Sequence, residues 1–419
     1  MTNRTCASNC PLRSKQTIDS IGVMEKTLTI CVIAGEASGD LHGANLVRAL
    51  KRRHPDVQVF GIGGDQMESE GVELLYHVRE MGFLGLWEVV RHLPFIRRVF
   101  GELVRSLDQR RPELVLLIDY PGFNLRFAKA AKKKGVPVYY YICPQVWAWG
   151  KRRVRIIRRW VDRLAVILPF EADFFRKHGI DARFVGHPLK DTVHTSQTRA
   201  DFFHSLELDP AAPTLGLLPG SRMQEIHRLL PVMVATCRRL RARFPNIQIL
   251  LGAAPTLDDD AYNPALSDTP FIHLVRDAVH DLMAHSNAVL VASGTATLET
   301  AILNTPMAIV YKVSPVTWFF GKIMVRLKHI GLVNIIAGRE VVPELLQHRA
   351  TAQRIAQVAE RLLTDGALRT RIQHDLSRVV EALGEPGASE RTAEDALNFI
   401  REKHGGSVVS DSRSARSDR

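Results

Sequence analysis

The chain has 419 residues, of which 46% are hydrophobic and 24% charged. This length suits two domains of about 150–200 residues, each with a core that needs no disulfide. The net charge of +12 favours polyanionic partners such as nucleic acid, anionic lipid or phosphorylated small molecules, without choosing among them. No apolar run reaches the ~18 residues of a membrane-spanning helix, and the five scattered cysteines indicate free thiols in a reducing compartment.

Residues 1–23 and 405–419 are polar and aperiodic, which predicts a disordered leader and tail and leaves open whether the protein starts at Met1 or Met24. From residue 24 to 190, short apolar runs alternate with helix-period segments. This pattern is typical of parallel strands joined by crossover helices. The strands predicted in this half are Leu28–Ala34, Val57–Gly61, Leu114–Ile118, Val136–Ile142, Arg163–Leu168 and Phe184–Val185.

The alternation restarts after a polar segment near 190–212, so a second lobe is predicted over 191–404. Its helices include Glu225–Arg243 and a helical tail from about Ala350 to His404. The sequence therefore predicts an α/β protein with two Rossmann-like, doubly wound lobes that face each other across a cleft. The strands predicted in the second lobe are Thr214–Leu218, Ile247–Leu251, Ile272–Leu274, Ala288–Val291 and Met307–Val310.

Three predicted strands end in glycine-bearing turns that open a helix: GEASGD at 35–40, PGSR at 219–222 and ASGTAT at 292–297. Such turns let the backbone approach a ligand, and free N–H groups at a helix start favour an anion. Doubly wound folds often have such turns without any ligand, and none of the three is a dinucleotide fingerprint or a P-loop.

The last two turns share one half of the chain, at the strand edge where open α/β sheets bind ligands, and this favours a nucleotide diphosphate. Arg222 supplies a guanidinium for phosphate, and Glu299 is placed to reach a ribose diol. The residues predicted to bind this substrate are Gly220, Ser221, Arg222, Ser293, Gly294, Thr295, Ala296, Thr297 and Glu299.

Several long strings resemble the lipid-A-disaccharide synthase family over roughly 27–402. They are AGEASGDLHGANL, IDYPGFNLRFAKAAKKKG, CPQVWAWGKRRV, LPFE, FVGHPL, LLPGSRMQEI, ASGTATLE and LVNIIAGREVVPELLQ. The resemblance implies a GT-B fold and an inverting transferase without metal or cofactor. It implies that UDP-2,3-diacylglucosamine and 2,3-diacylglucosamine 1-phosphate are joined into the β-1,6-linked lipid A disaccharide, with release of UDP.

The same resemblance makes Asn334 and Gln347 expected nucleotide or donor contacts; from the residues alone, they are a turn residue and an exposed helix position. Inverting transfer needs a base, and Asp119 follows a buried strand, where it is either a catalytic residue or a helix cap. Glu36, in the first glycine turn, is expected to face the same cleft as a catalytic or an orienting residue. Asp40 is interpreted as a helix cap.

No metal site is expected: no His, Cys or carboxylate cluster has ligand spacing, and Asp258–Asp260 suits a solvated loop. Residues 81–100 are either a core helix kinked at Pro94 or an interfacial segment that docks on membrane, and Trp318–Arg326 is similar. The basic side chains of residues 147–160 form either a solvent-exposed helix face or a surface that contacts phosphate or anionic lipid. The expected location is cytoplasmic, on the inner membrane.

Two alternatives share the fold, namely a transferase for another acceptor and a UDP-sugar 2-epimerase. An epimerase has no need of an apolar flank for acyl chains, so activity on lipid-linked sugars separates it from the leading prediction. The third alternative is a basic nucleic-acid-binding protein, but no binding module or basic sheet with interleaved aromatics is visible, and no nucleic-acid partner is expected. The oligomeric state, a homodimer included, is left open.

Overall fold

The computed structural model describes residues 27–81, 92–149, 151–314 and 328–405 of the protein. Its first lobe contains a sheet of seven parallel strands in the order β3-β2-β1-β4-β5-β6-β7. The strands are β1 (Thr29–Ala34), β2 (Gln58–Gly63), β3 (Glu73–His77), β4 (Leu114–Ile118), β5 (Val138–Tyr141), β6 (Arg163–Val166) and β7 (Ala182–Phe184).

The central strands of this sheet are buried on both faces, which explains why their sequences are continuously apolar. In β4, Leu114, Leu116 and Ile118 pack into one hydrophobic cluster, and Val115 and Leu117 pack into another. The helices are α1 (Ala37–Arg53), α2 (Asp65–Ser69), α3 (Val78–Met81), α4 (Leu93–Arg110), α5 (Pro121–Lys133), α6 (Val146–Trp149), α7 (Lys151–Trp160), α8 (Glu171–Lys177) and α9 (Leu189–Thr192).

The second lobe is built on a separate parallel sheet of six strands, in the order β10-β9-β8-β11-β12-β13. The strands are β8 (Thr214–Leu218), β9 (Gln248–Gly252), β10 (Ile272–Val275), β11 (Ala288–Ala292), β12 (Met307–Tyr311) and β13 (Glu344–Leu346). The helices that follow the lobe boundary are α10 (Arg199–Ser205), α11 (Met223–Arg243), α12 (Asn263–Leu266), α13 (Val279–His285), α14 (Ala296–Ile302), α15 (Leu332–Ala337), α16 (Ala352–Thr364), α17 (Gly366–Ala382) and α18 (Ala388–His404), with 3₁₀ turns at Asp259–Ala261 and Gln347–Arg349.

Each strand predicted from the sequence is present, with bounds within two residues of the prediction. Two edge strands, β3 and β13, were not predicted. Both are short and begin with a glutamate, so they lack the continuous apolar run that marks a central strand. Their pairing with β2 and β12 comes from the sheet.

The helical tail divides between the two lobes. Helices α16 and α17 contribute to the hydrophobic core of the second lobe, whereas α18 packs against α1 and puts Phe399 and Ile400 into the first lobe's core. Tyr139 Oη donates to Asp395 Oδ2 at 2.7 Å, and Arg163 Nη2 pairs with Glu402 at 2.7 Å. The range 191–404 expected for the second lobe thus ends in a helix that lies on the first.

Candidate active site

A strained turn presents Asp119 at the carboxyl edge of the first sheet. The chain leaves β4 with φ of +44° at Asp119 and +49° at Tyr120, a left-handed backbone that is costly for residues other than glycine. Tyr140 Oη donates to the Asp119 carbonyl oxygen at 2.6 Å, and Asn124 Nδ2 donates to the same oxygen at 2.7 Å. Two buried side chains therefore hold the backbone in this conformation.

The carboxyl group of Asp119 is half-buried, and its pKa is raised from 3.8 to about 6. Burial is the largest cause and the charge of Glu36 the second, while a hydrogen bond from the Tyr120 backbone acts in the opposite direction. Glu36 is exposed at the start of α1. A Cβ atom at Gly35 would come 2.2 Å from the ring of Tyr120, so only glycine lets the two turns touch. The structure thus brings the two predicted catalytic carboxylates close enough for the charge of one to act on the other.

Asp40 was expected to cap a helix that starts at Leu41, but it caps α2 instead. It is 5% exposed, and its carboxylate accepts hydrogen bonds from the backbone N–H groups of Gly64 (2.7 Å), Met67 (3.0 Å) and Gln66 (3.1 Å). These groups open α2, whereas α1 begins before Asp40. Asp40 therefore ties α1 to the loop after β2 and has no free acceptor role at the site.

Glu171 and Trp147 form a hydrogen-bonded pair after β6 and β5 that the sequence analysis missed. Trp147 Nε1 donates to Glu171 Oε1 at 2.9 Å, and the Leu168 backbone N–H donates to Oε2 at 3.0 Å. Glu171 is only 1% exposed, and burial raises its pKa to about 7. Both residues lie in motif strings, CPQVWAW and LPFE. A glutamate in the first turn of a helix is usually a surface residue, so its burial had no local signal.

The first turn of the second lobe follows β8 and begins α11. Gly220 has φ of +117°, and a Cβ atom there would come 2.2 Å from the Glu225 carboxylate. Glu225 Oε2 accepts a hydrogen bond from the Ser221 backbone N–H at 3.0 Å, and Thr256 Oγ1 donates to the Ser221 carbonyl oxygen at 3.0 Å. Arg222 is exposed at the start of the helix. The turn is therefore held by Glu225 and Thr256, and the exposed side chain of Arg222 is open to a ligand.

The second turn of this lobe follows β11, which is the sheet neighbour of β8, so both turns lie at the same edge. Ser293 Oγ donates to the Ile330 carbonyl oxygen at 3.1 Å, and Thr297 Oγ1 donates to that of Gly294 at 2.7 Å. Gly294 and Thr295 are exposed, and no atom lies within 4 Å of where a Cβ of Gly294 would be. Glu299 is half-buried, and burial raises its pKa.

The side chain of Asn334 is engaged within the protein, and a direct contact with the nucleotide or donor sugar stays a prediction. It is 0% exposed, its Nδ2 donates to Val342 O (2.9 Å) and Glu344 Oε1 (2.8 Å), and its Oδ1 accepts from the N–H groups of Val341 (2.7 Å) and Val342 (3.1 Å). Glu344 also accepts from the backbone of Ile330. Because every polar atom of its side chain is engaged, Asn334 positions the chain beside Ser293.

Gln347 is half-buried in a 3₁₀ turn with φ of +49°, not on an exposed helix. With its amide assigned to satisfy both partners, Nε2 donates to the Val313 carbonyl oxygen at 3.2 Å and Oε1 accepts from the Val313 N–H at 3.1 Å. It therefore clamps the segment that follows β12, and a direct ligand contact of this side chain stays a prediction.

Among the residues that the structure describes, no three His, Cys, Asp or Glu side chains gather as a metal site, and no helix there is long and apolar enough to cross a membrane. Asp259 is exposed and pairs with Arg276. Residues 82–91, which are half of the apolar stretch 81–100, and Trp318–Arg326 lie outside the described residues. Pro94 lies in the first turn of α4 rather than at a kink.

His187 precedes α9, and its Nδ1 accepts a hydrogen bond from the Leu189 backbone N–H at 3.2 Å. Burial, and to a smaller extent nearby His42, lower its pKa to about 4. A neutral imidazole is the form that can accept at Nδ1.

Two doubly wound lobes, with acidic residues at the edge of one sheet and glycine turns at the edge of the other, define a GT-B type fold. The chain shares this fold with UDP-GlcNAc 2-epimerase from Neisseria meningitidis bound to UDP-GlcNAc, at a TM-score of 0.62, 12% identity, and coverage of 88% of this chain and 100% of that one. S. aureus MnaA solved with UDP has a TM-score of 0.62 at 16% identity, covering 91% of this chain and 98% of that one.

A family model described as lipid-A-disaccharide synthetase matches residues 30–399. Proteins named lipid-A-disaccharide synthase from Syntrophus aciditrophicus and Geobacter metallireducens are 46% and 45% identical to the chain, each covering 89% of it and 98% of their own length. The one from Myxococcus xanthus is 44% identical and covers 88% of this chain and 97% of its own. The chain belongs to the lipid-A-disaccharide synthetase family, a family of lipid A biosynthesis glycosyltransferases, which confirms the resemblance carried by its motifs.

Proposed function

We propose that this enzyme transfers the diacylglucosamine group of UDP-2,3-diacylglucosamine to 2,3-diacylglucosamine 1-phosphate. The acceptor hydroxyl attacks the anomeric carbon, the bond from that carbon to the diphosphate breaks, and UDP leaves with the bonding electrons. The products are the β-1,6-linked disaccharide 1-phosphate and UDP. Family membership over residues 30–399 supports the reaction, and the half-buried, strained position of Asp119 supports its assignment as the base.

In this proposal, Asp119 takes the proton of the attacking hydroxyl. A general base works best when its pKa lies near the working pH, and the burial that raises the pKa of Asp119 to about 6 brings it there. Glu36 supports the base by raising that pKa with its charge. The strained backbone at 119–120 is the kind of cost that is retained where a side chain must be aimed.

On the donor side, the proposed diphosphate site uses the turns after β8 and β11. Arg222 and the backbone N–H groups of 293–297 would face the phosphates, with Glu299 on the ribose diol. Exposure of Arg222, Gly294 and Thr295 supports this, since these groups are open to a ligand. A cation beside the leaving diphosphate stabilises the charge that grows as the glycosidic bond breaks.

The direct test incubates the purified full-length protein with both lipid substrates and follows UDP and the disaccharide product by mass spectrometry. Stoichiometric formation of the two products is expected. The fold alone would also suit a UDP-sugar 2-epimerase, so the same samples are given UDP-GlcNAc. Conversion of UDP-GlcNAc to its 2-epimer, without any disaccharide from the lipid substrates, would contradict the proposal.

We further propose that the enzyme works on the cytoplasmic surface of the inner membrane, where its lipid substrates reside. Helix α7 supports this, because Arg155, Arg158 and Arg159 are exposed on it and Ile156 is 39% exposed between them. The fraction of protein that sediments with anionic vesicles should fall as the salt concentration rises.

Replacing Leu84, Leu86 and Trp87 together by serine should weaken vesicle binding while UDP binding persists. An insoluble triple variant would instead identify the three as core residues. Light scattering on the protein without vesicles measures whether it is a homodimer.

A further inference from the structure

The side chain of Trp147, in the short helix α6 between β5 and β6, is held by a hydrogen bond and by a ring contact. Its indole N–H is bonded to the Glu171 carboxylate at 2.9 Å. Its ring meets the ring of Phe170 edge-on, with centroids 4.9 Å apart and an interplanar angle of 88°. The side chain of Trp147 nevertheless stays half exposed. The ring is thus fixed in position and direction while part of it faces solvent.

The carboxyl group of Glu171 has to be buried to hold this ring in place. Burial of this carboxyl group disfavours its charged form, as its raised pKa of about 7 indicates. Its two oxygens are used only for the Trp147 indole and for backbone N–H groups at the start of α8. A buried acid maintained to orient a partly exposed aromatic ring is typical of the supporting layer of a binding site.

The pair lies on the acceptor side of the proposed site. Strands β4, β5 and β6 are consecutive neighbours in the sheet, and Asp119, Cys143 and Glu171 follow their carboxyl ends in that order. The thiol of Cys143 is buried, and the charges of both Glu171 and Asp119 act on it. Trp147 is four residues beyond Cys143 on the same loop. The proposed base and the carboxylate that holds the indole ring are therefore both close to one buried cysteine.

We propose that Trp147 forms a wall of the acceptor-sugar subsite, against which the apolar C–H face of the acceptor's pyranose ring packs, and that Glu171 is the positioning residue that holds this wall. An indole offers a large, rigid apolar surface, and the sugar has to be oriented so that one of its hydroxyls meets the base. This inference rests on the proposed assignment of Asp119 as the base, which places the acceptor in the first lobe.

The first variant is Trp147→Ala, which removes the wall. We expect KM for the acceptor to rise and kcat/KM for the acceptor to fall about tenfold or more, while UDP affinity and KM for the donor change less than about twofold. Trp147→Phe keeps an aromatic ring without the N–H and should lose less than Trp147→Ala. It also preserves packing on Phe170 if the alanine variant fails to fold.

The second variant is Glu171→Gln, which places an NH2 donor at one of the two oxygen positions that accept from Trp147 and Leu168. Because Glu171 acts through Trp147, the double variant that combines Trp147→Ala with Glu171→Gln should lose no more kcat/KM for the acceptor than Trp147→Ala alone. The matched control is Phe271→Ala. Phe271 is also half-buried and contacts an arginine, Arg241, but it precedes β10 and so lies at the opposite edge of the second sheet. This control should leave acceptor kinetics unchanged.

Acceptor kcat/KM within about twofold of wild type in a folded Trp147→Ala or Trp147→Phe protein would overturn the proposal, as would equal losses for donor and acceptor. So would losses of Trp147→Ala and Glu171→Gln that add in the double variant. Failure of the underlying site assignment has a separate signature, since Asp119→Asn would then turn over normally whatever the Trp147 variants do.

Discussion

Protonation of Asp119 is expected to set the acid side of the pH profile of this enzyme. A base accepts a proton only in its ionised form, so the rate should fall about tenfold per pH unit below its pKa. With the ordinary value of 3.8 the acid limb would lie below the range of pH 5 to 9 used in the assay described below. Because burial and the Glu36 charge raise the pKa of Asp119 to about 6, the limb should appear near pH 6.

Two substitutions separate the causes of this shift. Asp119→Asn keeps the size of the side chain but cannot accept the proton, so kcat should fall at least about 100-fold and the limb near pH 6 should vanish. Glu36→Gln removes a negative charge, which should lower the pKa of Asp119 part of the way toward 3.8. Burial, the larger cause, keeps it above that value. Glu36→Gln should therefore stay active at pH 7 and move the limb to lower pH.

The assay is UDP release at substrate concentrations below KM from pH 5 to 9, since kcat/KM reports the pKa values of the free enzyme. Calorimetric UDP binding at each pH controls for loss of the donor site. A limb near pH 6 that survives in Asp119→Asn would refute the reasoning. An inactive Glu36→Gln beside an active Asp119→Asn would exchange the two roles.

Four further outcomes are expected. Glu299→Ala should weaken UDP binding by roughly one to two orders of magnitude by calorimetry, the effect of losing a charge-assisted hydrogen bond. Arg222→Ala should reduce kcat more than UDP affinity, because charge on the diphosphate grows in the transition state. Burial raises the pKa of Glu171 from 4.5 to about 7, so its stabilising contribution is complete below pH 4.5 and is lost as pH rises through 7. Urea unfolding should show this loss, roughly 3 kcal/mol, in the wild type and not in Glu171→Gln. Asn334→Ala should lower the unfolding free energy by roughly 2–4 kcal/mol, because buried partners lose their hydrogen bonds; a loss of UDP affinity at unchanged stability would instead make it a direct contact.

Much of the fold could be predicted from local sequence. A parallel strand covered on both faces must be apolar at every position, so runs such as Leu114–Ile118 mark the central strands without any partner in view. Glycine turns mark where such strands end, because backbone with φ near +117°, as at Gly220, strongly favours glycine. Asp119 was found in the same way, as a carboxylate directly after a buried strand.

Features that depend on distant partners could not be predicted. Tyr139 and Asp395 are 256 residues apart, and nothing local to α18 shows that it packs on the first lobe. Glu171 and Asn334 look like surface and turn residues in sequence, and only the folded chain shows that each is buried with its polar atoms engaged. Local sequence determined where strands and turns occur, because backbone geometry and two-sided burial act residue by residue. The tertiary structure alone decided which side chains lose water, and hence which acids have raised pKa values, because burial depends on segments that are remote along the chain.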